Sequence, residues 1–330
     1  MIKLASLLLL VGIAAASCGA STAPGNDPTA PLILERTIPL PDVRGRIDHL
    51  AWDPAHGRLF VAALGNGTVE AIDLAAGRPV GRIAGLHEPQ GVAWLAGTQE
   101  LAVASADGSL GFYAGATLQL VARIDLGDDA DNLRVDPRSG ALVAGYGSGA
   151  LAIIDPASRQ VARRVALDGH PEGFQLAGDL AYVNIPDRRE IVAVNLSTGT
   201  TVQTWPMGLR FMNFPMATDS GHHLLATVFR LPARLMTIDL PGGAVRQVES
   251  SCGDSDDLFF DDRRSRLMVV CGAGEVDVYR ATPQGYAAAG TVATRSGART
   301  GLWVADQERL FVAARAADGQ PAAILIYRPR

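Results

Sequence analysis

The amino-acid sequence predicts an all-β fold, a seven-bladed β-propeller of four-stranded antiparallel blades. Three observations predict it. An apolar triplet recurs along the chain, with copies starting at Leu50, Val92, Leu133, Phe174, Met216, Leu258 and Leu302, spaced 41 to 44 residues apart. Each copy holds short apolar runs divided by turns containing Gly, Asn or Asp, the pattern of a small antiparallel sheet. No stretch sustains a helical period of about 3.6 residues, which sets the repeat apart from helical solenoids.

The clearest copy runs from Asp48 to Leu86. Leu50 to Trp52 leads into a polar turn, and Arg58 to Ala63 forms the second run. Gly65-Asn66-Gly67 makes the next turn, followed by a run through Val69 and Ile72 to Leu74. Gly77 then precedes a fourth run around Val80 to Ile83. Other copies contain continuous apolar runs, such as Leu101–Ala104, Leu267–Cys271 and Leu310–Ala314. A blade packs against neighbours on both faces, so strands in it are apolar on both.

At 330 residues the chain has the length of one large domain or two ordinary ones, and an unbroken repeat array favours one. A net charge of −5, with no basic run, argues against nucleic acid as a partner. The segment 1–17 reads as a signal peptide: Lys3, an apolar run from Leu4 to Ala16, then Ala15-Ala16-Ser17-Cys18. The run is shorter than the roughly 20 residues a membrane-spanning helix needs. Its end resembles a bacterial lipobox, which implies lipidation of Cys18 and a periplasm-facing outer-membrane lipoprotein. The alternative is an ordinary cleaved signal peptide and a soluble periplasmic protein. Residues 18–31 are small, polar and proline-containing, the composition of a tether.

The propeller is expected over residues 32–330. The last repeat holds only three runs, Leu302–Ala305, Arg309–Arg315 and Ala322–Tyr327, while Leu32–Leu40 precedes the first full repeat. The N-terminal strand is therefore expected to complete the last blade and close the ring. Turns such as Asp53–Gly57, Asp136–Gly140 and Asp219–His223 would lie on one face, with His56, His222 and His223 as solvated turn residues. The loops between blades would share the other face, the mouth.

The residues two before each inner strand are Asp48, Gln90, Asp131, Glu172, Phe214, Asp256 and Thr300. Convergence at the mouth predicts a ligand site built from Asp48, His49, Asp131, Asn132, Glu172, Asn213, Asp256 and Asp257, with Arg230 and Arg299 beside it. Oxygen ligands of this kind suit a divalent cation such as Ca2+, with Asp131, Glu172 and Asp257 as candidate metal ligands. A transition-metal site using His49, His87 and His170 is a further option. The arginines Arg46, Arg210, Arg230, Arg234 and Arg299 could instead neutralise the ring, which would favour an anionic or zwitterionic ligand. If Cys18 is lipidated, Cys252 and Cys271 remain, on one face of one blade, and export predicts that they form a disulfide.

Several stretches resemble the bacterial YVTN-repeat (YncE-like) seven-bladed propellers, and more closely an extracytoplasmic branch of them. They are PEGFQL (Pro171–Leu176), FMNFPMATDSGHHLLATVFRLPARL (Phe211–Leu235), CGDSDDLFFD (Cys252–Asp261), VVCGAGEVDVY (Val269–Tyr279) and GARTGLWV (Gly297–Val304). The resemblance covers residues 33–330 and implies a secreted or periplasmic propeller without an assigned reaction.

Motifs of enzymatic propellers are missing. No CxxCH haem site occurs, six His are too few for a copper cluster, and four Trp are too few for a quinone-cofactor propeller. There is no GxSxG nucleophile elbow. Gly145–Gly149 is a turn between strands with no helix after it, so it is no phosphate loop. The expected function is a binding or scaffold module of the cell envelope, monomeric, with a protein partner or small molecule at the mouth. The membrane would be touched only through the lipid anchor. The alternative is a metal-dependent hydrolase of lactonase type, for which Glu172, Asn132, Asn213 and Asp257 supply suitable residue types.

Overall fold

Seven four-stranded antiparallel sheets form the blades of a ring in the computed structural model, which describes residues 29–330. The expected signal peptide, the lipidation at Cys18 and most of the tether lie outside the described residues. Pro31, the tether's last residue, already joins the fold: its carbonyl accepts from the Arg330 amide at 3.1 Å and from Arg266 Nη1 at 3.3 Å.

Blade one comprises Leu50–Asp53, Arg58–Ala63, Thr68–Asp73 and Arg78–Ala84, in that spatial order. Its second strand is almost wholly apolar, and Leu59, Phe60, Val61, Ala62 and Ala63 are all inaccessible to solvent. Alternate residues face opposite neighbours. Leu59 and Val61 join the core shared with blade seven, while Phe60 and Ala62 join the core shared with blade two. This double burial explains the continuous apolar runs.

The ring closes as the missing strand predicts. Leu32–Leu40 pairs antiparallel with Ala322–Pro329, from Leu32 opposite Pro329 to Leu40 opposite Ala322. It is the outer strand of the blade whose inner strands are Gly301–Val304 and Arg309–Ala314. Leu32, Ile38 and Leu40 are buried. Thr300 Oγ1 also donates across the seam to the Ile47 carbonyl at 3.4 Å.

Inner strands begin earlier than the apolar triplets suggest. They start at Pro89, Ala130, Phe211 and Ser255 in blades two, three, five and six. Polar or bulged residues such as Gln90, Asp131, Asn213 and Asp256 interrupt these extensions, so the apolar pattern does not run back to the strand start. In each of these blades the ladder register shifts just before the triplet. Gln90, Asp131, Phe214 and Asp256 fall in these shifts and lack an opposite partner in the ladder. A bulge bends the strand and re-aims side chains. Here Asp131, Phe214 and Asp256 line the mouth, while Gln90 donates to the Asp129 carboxylate at 2.8 Å.

Cys252 and Cys271 form a disulfide, with 5.9 Å between their Cα atoms. It lies in the core between blades five and six, with Val228, Leu235 and Leu267.

Candidate functional site

Two glycines let the inner rim close tightly. A Cβ on Gly91 would stand 1.9 Å from the Asp131 carbonyl oxygen, and one on Gly173 would stand 2.4 Å from the Phe214 carbonyl oxygen. Only a residue without a side chain permits such approach between neighbouring blades. The Gly173 amide uses it to donate to the Phe214 carbonyl at 3.0 Å.

The mouth cavity is about 30 Å³ and is lined by Arg46, Asp48, His49, Asp131, Asn132, Arg134, Glu172, Asp256 and Asp257, together with Phe214 and its neighbours. Arginines clamp two of its five carboxylates, Asp48 and Asp256. Arg46 Nη2 lies 2.7 Å from Asp48 Oδ2. Arg230 pairs with Asp256, donates from Nε to the Ser255 carbonyl at 3.0 Å, and stacks over the Phe214 ring at 4.2 Å. Arg299 reaches Asp254 at 2.9 Å and Asp256 at 3.8 Å. Asp257 accepts from the Gly301 amide at 2.9 Å and faces His49 Nδ1 at 3.5 Å. It thereby ties blade six to blade seven. Arg210 and Arg234 bind local backbone carbonyls instead, those of Met207 and Ala233, and take no part in the ring.

Burial and crowding set the protonation of this ring. Burial works against a charged His49, but Asp257, then Asp48 and Asp131, outweigh it and raise the pKa to about 10. Burial and then the Asp48 charge push Asp131 upward; burial and then Asp131 push Glu172 upward. Burial lifts Asp256 to about 6 despite Arg230. Asp131 and Glu172 have no arginine in ion-pair contact among the described residues. They and His170 offer ligand atoms within 4.8 Å of one another. His170 is anchored through Nδ1, 2.6 Å from the Gly147 carbonyl. Asn132, 3% exposed, lines the same cavity, and its Oδ1 has no hydrogen-bond partner.

The expected residues thus separate. Asp48, His49, Asp131, Asn132, Glu172, Asp256 and Asp257 converge, and Arg230 and Arg299 stand beside them. Asn213 does not line the cavity. It is fully buried, and its Nδ2 donates to Asn184 Oδ1 at 2.9 Å. Asn184 in turn donates to the Phe214 and Pro215 carbonyls at 3.1 and 3.0 Å, so this pair braces the bulge of blade five. Asp257 faces His49 rather than the Asp131–Glu172 pair. His170 takes the third place in the cluster. His87 is exposed, and His56 is fixed by Asp53 at 2.9 Å on the turn face.

Sequence reasoning missed Arg134. Its signal was present: the second positions of the inner triplets are Ala51, Ala93, Arg134, Gln175, Ala217, Phe259 and Trp303, and Arg134 alone is charged.

The fold has many relatives in shape. A chain of the structure titled "Crystal Structure of Mitotic Checkpoint Complex" superposes with a TM-score of 0.77 at 14% identity, covering 98% of this chain and 99% of its own. A chain of Kuenenia stuttgartiensis hydrazine synthase superposes with a TM-score of 0.72 at 14% identity, covering 82% of this chain and 94% of its own. No family model and no curated protein matches the sequence. At such identities the likeness establishes the propeller fold and nothing finer.

Proposed function

We propose that this protein is an extracytoplasmic binding module that presents the propeller mouth to a cation or to a charged group of a partner. The size of the mouth cavity carries this reading. At about 30 Å³ it admits roughly one water or one ion, not an organic substrate. Asp131, Glu172 and the Asn132 amide oxygen line it without an arginine in ion-pair contact, and His170 stands beside the two carboxylates. Two carboxylates, an imidazole and an amide oxygen suit a divalent cation, and a cation would relieve the repulsion between Asp131 and Glu172.

Titration calorimetry with Ca2+, Mg2+, Mn2+ and Zn2+ tests this. At least one ion is expected to release or absorb heat and to raise Tm. At a hundredfold excess over Kd the gain is about 2.7 kcal/mol. The double variant Asp131→Asn/Glu172→Gln is expected to lose both signals. Silence from all four ions would leave the mouth as a protein-docking rim closed by its own ion pairs.

The Asp131–His170–Glu172 cluster also favours a second reading, a metal-dependent hydrolase of lactonase type. It requires the rim to open around a bound metal. Metal-dependent turnover of a simple γ-lactone would establish it.

The envelope location and the anchor at Cys18 belong to the same proposal, as does placement among the YVTN-repeat propellers. They rest on residues 1–18 and on the stretches quoted above. In cells fed a labelled fatty acid the wild-type protein is expected to carry the label, and Cys18→Ser is expected to lose it. Equal labelling of both, or none on the wild type, would refute lipidation at Cys18.

A further inference from the structure

Below the mouth lies a second and larger space. A cavity of about 300 Å³ follows the axis along the inner strands toward the turn face. His49, Arg134 and Asp257 line both cavities and form the septum between them. Beneath them the walls mix polar and apolar surface: Gln175, the buried Leu50, Val92 and Leu133, and the partly exposed Trp52, Phe259 and Leu302. The volume stands at the small end of ligand pockets, which run from about 300 to 1,000 Å³.

Arg134 is the feature that asks for a ligand. Its guanidinium donates from Nη1 to the Leu133 carbonyl at 2.8 Å and lies 5.6 Å from the Phe174 ring centroid. Among the described residues no carboxylate comes within ion-pair distance of it. Burial pulls its pKa below the usual value despite Asp257 and Asp131, which marks a cation poorly solvated by its surroundings. A guanidinium carries five donors, and among the described residues only the Leu133 carbonyl accepts from this one. The other two septum charges face each other, Asp257 with His49. The septum therefore presents a guanidinium that no carboxylate touches directly, above walls that include apolar and aromatic side chains.

We infer that the lower channel is a binding site for a small monocarboxylate with an aryl or branched alkyl body. The carboxylate would accept from Arg134 at the septum, and the body would lie against Trp52, Phe259 and Leu302. This site is distinct from the cation site proposed at the mouth and does not depend on it. A monoanion is favoured over a dianion because only one guanidinium lacks a carboxylate in contact. A neutral ligand would leave that guanidinium without one.

Calorimetry on the full chain with 3-phenylpropanoate and with its neutral counterpart 3-phenylpropan-1-ol tests the inference. The carboxylate is expected to bind, and the alcohol to bind about tenfold or more weakly, the step associated with a charge-assisted hydrogen bond. Arg134→Gln is expected to erase that preference. Leu302→Trp keeps the charge and fills the channel, and is expected to abolish binding of both compounds. Its Tm checks that the ring is intact, so the result stands even if Arg134→Gln fails to fold. Failure of the carboxylate to bind at millimolar concentration would overturn the inference. So would equal binding of acid and alcohol by the wild type, or unchanged binding in a folded Leu302→Trp protein.

Discussion

Deleting residues 32–40 is expected to leave no soluble folded protein, while deleting residues 19–28 leaves Tm unchanged. The deleted strand is the outer strand of the last blade, paired along its length with Ala322–Pro329. It buries Leu32, Ile38 and Leu40 almost completely. Each such side chain contributes about 1.5–3 kcal/mol by leaving water. Three of them approach the whole stability of an ordinary domain, about 5–15 kcal/mol. The ladder partners on Ala322–Pro329 would also be exposed, and an unpaired apolar edge aggregates. Thermal melting and light scattering of the two truncations decide the matter. Equal melting of both would mean that the ring closes without this strand.

Loss of the disulfide has the next largest expected effect. Cys252 and Cys271 are 19 residues apart, and a link closing a loop of that size stabilises by about 3 kcal/mol. The expected result is a fall in Tm of several degrees on reduction, or in a Cys252→Ala/Cys271→Ala variant. The loss should be felt in the core between blades five and six, where the pair packs with Val228, Leu235 and Leu267. Hydrogen exchange would find the added opening there first. Two freely alkylated thiols in protein purified without reductant would remove the basis for this expectation.

The blades were legible because each repeats the same physics. A strand buried on both faces needs a continuous apolar run, and Leu101–Ala104 or Leu310–Ala314 cannot be much else. Closure was legible from a count, three runs at one end and one spare at the other. The convergence of Asp48, Asp131, Glu172 and Asp256 followed from repeat register alone. What they pair with did not. Arg230 lies in the second strand of blade five and Asp256 in a bulge of blade six, and only the spacing of the blades brings them together. Asn213 has the composition of a mouth residue, yet its strand starts at Phe211, earlier than the apolar pattern suggested, and so carries it inward to Asn184. Arg134 was passed over because it sits within an inner strand, where a charge reads as an exception rather than as part of a septum across the channel.

The bulges carry a consequence for how this molecule can change. Gln90, Asp131, Phe214 and Asp256 occupy ladder gaps, so no cross-strand pair depends on their identity. Neighbouring blades meet chiefly along these inner strands, while the ladder of each blade and the closing strand set the register. Within a blade, mouth chemistry and ladder register are thus separate inheritances. A substitution at Asp131 or Asp256 rewrites the charge at the mouth while the blade beneath keeps its register. A propeller built this way can exchange one specificity for another by a few point changes, and a designer could graft a new ligand set onto these positions without redesigning a single strand.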